Sequence, residues 1–262
     1  MDILILPLLA CIILVCIHVY FGSFVLKRGI IFIDLALAQW AALGYIVGHL
    51  LHIHSHTLLF LTSFGFTAIA AVILSALKHL YQANNLQEAV IGVTYIAANA
   101  IAIGLISSFG LDGHHFQEML TGHLLFIHPS EIITTYLTYF CIGLLLIKLH
   151  PFFVKNTSPK WDFIFYLLFG LVVTSSVKMV GILLVFSFLV IPLLSIIRLT
   201  NSFKQQLNYG WIIGIMASII GLLLSLLIDV PPSIAIIIVL ISIWIATTLY
   251  YKLFITKQNL NP

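Results

Sequence analysis

Charge is what this sequence has least of. Only 7% of its 262 residues are Asp, Glu, Lys or Arg, against about 25% in a soluble domain. So few charges cannot build a water-facing surface, and the 62% hydrophobic content makes lipid the solvent for most of the chain. The formal net charge of +3 is carried by basic residues scattered singly between apolar runs. With no basic stripe interleaved with aromatics, nucleic acid is excluded as a partner. Cysteine is also scarce. Cys11, Cys16 and Cys141 all fall inside apolar runs, with no spacing for a disulfide framework or a zinc knuckle. They read as buried, inert thiols. No nucleophile–base pair, phosphate loop or HExxH pair is present, so the chain reads as a non-enzyme with no tightly bound cofactor. Internal repeats and low-complexity tracts are missing as well, apart from the local run HIHSH at 52–56.

What is present is a series of long apolar runs. A helix needs about 20 apolar residues to cross about 30 Å of hydrocarbon. Nine candidates occur, at 3–26, 30–48, 57–77, 89–109, 132–149, 163–177, 179–197, 211–228 and 234–253. All are expected to be helical, because backbone groups in lipid must pair within their own segment. The sixth is short and abuts the seventh with only Lys178 between them. That pair reads as a broken hairpin or one re-entrant element, leaving eight or nine spans. The expected fold is an all-α polytopic membrane bundle, one transmembrane domain over residues 1–262. The first run carries Asp2 where a secretory signal has basic residues, and it is longer than a signal core, so it is expected to stay as a span.

Basic residues set the expected orientation. With the N-terminus outside and nine alternating spans, Lys27, Arg28, Lys78, Lys148, Lys155, Lys160, Arg198, Lys204, Lys252 and Lys257 all face the cytoplasm. The histidines sort the other way. His49, His52, His54 and His56 fall at the first outer loop, and His114, His115, His123 and His128 in the loop after the fourth span. That second outer loop, residues 110–131, is expected to hold a short interfacial helix around 116–124.

Several residues are candidates for chemistry. Asp34 lies inside the second span, where an ionised carboxylate costs about 2.5–3.5 kcal/mol on insertion scales. It reads either as a structural partner of Lys27 and Arg28 or as a pathway residue for a cation. If HIHSH is extended, His52, His54 and His56 face one way and can reach one ion, and imidazole suits zinc. The other reading is a polar loop that is merely His-rich. Glu88 opens the fourth span, where the helix dipole favours an acid. Asn99 lies mid-span and reads first as interhelical glue. Lys178 either snorkels to the outer interface or lines a cavity. Pro192 kinks the seventh run, and residues 195–207, with Arg198 and Lys204, form an elbow at the inner face. In the eighth run Gly210, Gly214, Ser218, Gly221 and Ser225 make a small-residue stripe for close helix packing.

In order and spacing these elements resemble the permeases of zinc/manganese/iron ABC importers, over nearly the whole chain. FGSFVLKRGIIFIDLALAQWAALG supplies Gly22, Lys27, Arg28 and Asp34. NNLQEAVIGVTY supplies Glu88, Ile91 and Gly92. SVKMVGILLVFSFLVIP supplies Lys178, Gly181, Leu183, Leu184, Val185 and Pro192, and LIDVPPSIAI completes the pattern. The resemblance implies a permease paired with a second copy of itself or a paralogue. It also implies two cytoplasmic ATPase subunits coupled through the 195–207 elbow, an extracytoplasmic metal-binding protein docked outside, and a divalent metal as cargo. The outer histidines, with His114 and His115 among them, favour zinc, with manganese or iron as the alternative. One position departs from the pattern: many members place a His four residues after the Asp, where this chain has Ala38. A branch of the family carries DLALAQ there, and this chain is similar to it. Two other classes stand against this reading. A haem-binding subunit needs facing intramembrane histidines, and only His18 lies well inside a span. A proton-driven carrier needs several intramembrane acids in series, and Asp34 stands alone.

Overall fold

A computed structural model describes residues 2–81, 86–110, 122–155, 158–200 and 202–255. Nine α-helices and no strand occur among these residues. They are α1 (Asp2–Arg28), α2 (Ile33–Leu50), α3 (His56–Tyr81), α4 (Gln87–Phe109), α5 (Pro129–Lys155), α6 (Pro159–Val180), α7 (Ile182–Leu194), α8 (Phe203–Ile228) and α9 (Pro232–Tyr250). A 3-10 turn at Leu124–Phe126 precedes α5, and a π turn at Tyr251–Ile255 extends α9. Eight of the helices are long and apolar enough to cross a membrane, and α7 is a shorter apolar helix. The expected interfacial helix at 116–124 falls outside the described residues except for its last three positions. Of these, Leu124 opens the 3-10 turn.

The sixth and seventh runs differ from expectation. It is α6 that is long, at 22 residues, because the polar stretch from Pro159 to Asp162 is helical too. The short element is α7, whose 13 residues span about 20 Å at 1.5 Å per residue. The break lies at Gly181, and Lys178 belongs to the last turn of α6. Gly181 has φ 83° and ψ 158°, a conformation closed to residues with a Cβ, while its N–H still bonds Val177 O at 2.9 Å. The chain therefore stops one helix and starts the next with a single residue.

The helices form two compact units. One comprises residues 1–27, 123–133 and 183–262. Within it the α8 stripe is used in packing: a Cβ at Gly210 would lie 2.8 Å from Val19, and one at Gly214 2.6 Å from Val15. Gly221 faces the backbone of Ile236 in α9 in the same way. Trp211 Nε1 adds a hydrogen bond to Cys16 O at 3.1 Å. The second unit comprises residues 28–122 and 134–182. Its centre is α2, two-thirds buried, packed against α3, α4 and α6. Gly44 and Gly48 let α3 approach at Thr62 and Ser63, and Gly170 of α6 abuts Thr67. Hydroxyls in this unit bond helix carbonyls or one another, as Thr67 does with Thr174 at 3.0 Å and Tyr139 with Ser175 at 2.9 Å. Such pairing is what lipid demands of polar side chains.

Candidate functional site

The start of α2 positions the central group. Arg28 ends α1, Gly29 turns the chain at φ 65°, and Ile33 N–H bonds Ile30 O at 3.2 Å as the new helix begins. Asp34 sits in the first turn of α2. An acid there ordinarily caps free amides, but neither Asp34 oxygen has a hydrogen-bond partner, and the residue is only 1% exposed. A Glu from another helix serves the α2 terminus instead: Glu88, in the first turn of α4, accepts from Phe32 N–H at 2.9 Å through Oε1.

The expected pairing of Asp34 with Lys27 and Arg28 is not what the chain adopts. The Lys27 ammonium lies over the Phe203 ring, 4.6 Å from its centroid. Arg28 Nη1 donates to Asp162 Oδ1 at 3.2 Å and Nη2 to Phe153 O at 3.1 Å, with the guanidinium 4.3 Å from the Phe165 centroid. Lys78 joins the same carboxylate, Nζ to Asp162 Oδ2 at 2.7 Å. Asp162 is thus a buried anchor that reading along the sequence passed over. Its signal was available: an acid in the first turn of a helix whose end faces the same side as Arg28 and Lys78.

Above Asp34, α2 and α4 are cross-bonded. Gln39 Nε2 donates to Asn99 Oδ1 at 3.2 Å, and Trp40 Nε1 to Thr94 O at 3.2 Å. Asn99 thus bonds across to α2. Gln39 is 2% exposed and Ala38 1%.

The histidines of the loop between α2 and α3 are not gathered. The run is not extended, because His52 takes φ 56° and His56 already begins α3. His52, His54 and His56 are all exposed. Among the described residues no group of three or more His, Cys, Asp or Glu is placed to hold a metal ion. His114 and His115 lie outside the described residues. Lys178 is exposed in the last turn of α6, where the dipole favours a cation. Arg198 is exposed on the turn after α7, whereas Lys204, expected on the same elbow, is exposed in the first turn of α8, because the helix begins at Phe203. Arg198 lies 5.8 Å from the Tyr251 ring centroid, and Gln206 Nε2 bonds Thr200 O at 2.9 Å.

Eight helices long and apolar enough to cross a membrane among the described residues define a polytopic membrane protein. More narrowly, the chain belongs to the ABC 3 transport family, whose profile matches residues 1–251, and it is the membrane permease subunit of an ABC transporter. It is 22% identical over 233 residues to the manganese transport system membrane protein MntC of Halalkalibacterium halodurans, covering 83% of this chain and 77% of that one. It is 25% identical over 155 residues to the chelated iron transport system membrane protein YfeD of Yersinia pestis, covering 55% and 52%. Its fold is similar to a solved chain of PsaBC from Streptococcus pneumoniae in complex with Fab. The TM-score is 0.76 at 18% identity, over 94% of this chain and 91% of that chain.

Proposed function

We propose that this permease carries a divalent first-row transition metal into the cytoplasm, and that Asp34 meets the ion on its way. The observation that carries this reading is the Asp34 carboxylate itself, buried with both oxygens unbonded. A carboxylate held so at a cost of a few kcal/mol is retained for what it binds. The cargo is proposed as manganese or iron ahead of zinc. The donor nearest the pathway is a carboxylate, which suits harder ions, and no imidazole lies four residues on at Ala38. That His52, His54 and His56 are not brought together supports the same order. Two relatives, described as carrying manganese and chelated iron, support the same order. Zinc stays as the second reading, with His52, His54 and His56 as a weak outer capture surface.

The working assembly is a second permease copy, two cytoplasmic ATPase subunits, and a metal-binding protein docked on the outside, with the N-terminus outward and the C-terminus in the cytoplasm. Arg198 on the elbow and Lys204 in the first turn of α8 are the proposed contacts to the ATPase, because both are exposed cations on one short stretch of chain. Arg198→Glu is expected to lower ATPase co-purification several-fold with permease yield unchanged; undiminished co-purification removes the elbow from that role.

The function is tested by elemental analysis of cells lacking this gene and cells with it restored, grown in medium limited for each metal in turn. A manganese or iron deficit is expected. A selective zinc deficit turns the cargo to the second reading, and normal levels of all three reject metal import.

A further inference from the structure

One end of the first unit carries cations with no acid beside them. Helix α8 runs against α1, with Gly210 on Val19 and Gly214 on Val15, and α9 turns back along α8, with Gly221 on Ile236. The end of α1, the start of α8 and the end of α9 therefore meet. Lys27, Arg198, Lys204 and Lys252 stand there, all exposed, and none is in an ion pair among the described residues. Asp2 opens α1 and Asp229 ends α8, so both belong to the opposite end.

Lys27 is set in a recess as well as exposed. The recess, of about 210 Å³, is lined by Ser23, Leu26, Lys27, Leu193, Ile197 and Gln206. It lies where hydrocarbon gives way to the interface: the apolar run 3–26 stops at Lys27, and the run 179–197 stops at Arg198. Leu26, Leu193 and Ile197 supply apolar walls, and Ile197 is 39% exposed. The Lys27 ammonium rests one side on the Phe203 ring, 4.6 Å from the centroid. It has three donors, and the ring face takes up one side of it. Gln206 Nε2 spends one hydrogen on Thr200 O at 2.9 Å and carries a second.

We propose that this recess binds an anionic phospholipid, with Lys27 holding the phosphate and Leu26, Leu193 and Ile197 meeting the start of the acyl chains. A cation joined to apolar walls at the edge of the hydrocarbon matches that ligand, whose charge and chains meet at the same depth. A free phosphate uses only the lysine and leaves the apolar walls unmatched. The recess is shallow, so it seats an oxygen of the phosphate while the rest of the lipid lies along the outside of α1 and α7. The site draws on neither Asp34 nor the cargo, and Arg198 and Lys204 remain with the ATPase.

The test is native mass spectrometry of the purified permease–ATPase complex, titrated with dioleoylphosphatidylglycerol and, separately, with dioleoylphosphatidylcholine. Phosphatidylglycerol should bind several-fold more tightly. Lys27→Gln should weaken its binding about fivefold, the factor set by the roughly 1 kcal/mol that one basic residue contributes near anionic lipid. Lys27→Arg should keep wild-type binding. Lys148→Gln, at an exposed lysine of α5 outside the recess, should also bind as the wild type does. Equal binding of the two lipids overturns the proposal. So does a loss in Lys148→Gln as large as in Lys27→Gln, which is general surface attraction. Excess glycerol 3-phosphate should leave the lipid bound; displacement makes this a soluble-phosphate site and rejects the lipid. If Lys27→Gln does not assemble, Ile197→Glu decides, since a negative charge at the recess wall should abolish the preference for phosphatidylglycerol and an unchanged preference overturns the site.

Discussion

Asp34→Leu should give a protein that is more stable than the wild type and nearly silent in transport. The two halves of that result have different causes. In the folded protein the carboxylate is 1% exposed and neither oxygen accepts a hydrogen bond. Replacing an uncompensated buried acid by an apolar group of similar volume removes its desolvation cost, about 2.5–3.5 kcal/mol on insertion scales. Thermal unfolding in detergent should therefore move to higher temperature. Uptake should fall roughly 10- to 100-fold, the scale seen when groups that set a metal site are lost. A structural acid behaves in the opposite way, since its removal lowers stability and function together. An unfolding midpoint at or below the wild type, or uptake at the wild-type rate, would sink the assignment. Asp34→Asn refines the point, because it keeps the shape and removes the charge.

The outline of this molecule was legible because lipid leaves few alternatives. A run of apolar residues long enough to cross the membrane must be a helix, and each of the nine runs has its helix. The ends were less legible. The start of α8 at Phe203 lies eight residues before the apolar run at 211, through Lys204, Gln205 and Gln206. Hydropathy marks the hydrocarbon, whereas helices continue into the polar interface until a backbone signal stops them. For α6 that signal is Gly181 rather than the charge on Lys178.

The site was legible in one residue and opaque in its surroundings. An acid in an apolar run is conspicuous, so Asp34 stood out. Its partners could not be read by proximity along the chain. Arg28 is six residues from Asp34 and yet bonds Asp162, 134 residues away. Arg28 ends α1 ahead of the turn at Gly29, and no local pattern reports its distant partner. A ledger of the charges at helix ends would have come closer. It pairs two basic residues, Arg28 and Lys78, with one overlooked acid. The histidines show the reverse, a conspicuous local pattern whose backbone is not extended, since His52 takes φ 56° and His56 begins α3.

Gly22→Ala should be among the most damaging single-methyl changes in the chain. Gly22 is in α1 within FGSFVLKR, and a Cβ there would stand 2.0 Å from Leu189 O and 3.0 Å from Leu193 Cδ1 of α7. The obstacle is a backbone carbonyl, which no rotamer change can move. Relief requires α7 to shift, and α7 is only 13 residues long, bounded by Gly181 and the elbow. Overpacking of this kind costs about 1–3 kcal/mol, or more where backbone must yield. The expected result is a lower unfolding midpoint and a reduced yield of folded permease. Gly143→Ala is the matched control: it is also a helical glycine, but nothing lies within 4 Å of its Cβ position. There the change should be neutral or stabilising by about 0.5–1 kcal/mol, since alanine is the better helix former. If both variants unfold alike, the close α1–α7 approach at Leu189 is wrong. If only Gly22→Ala fails, that glycine is kept for the contact, and the small residue ahead of Lys27 and Arg28 has a packing reason independent of the ion.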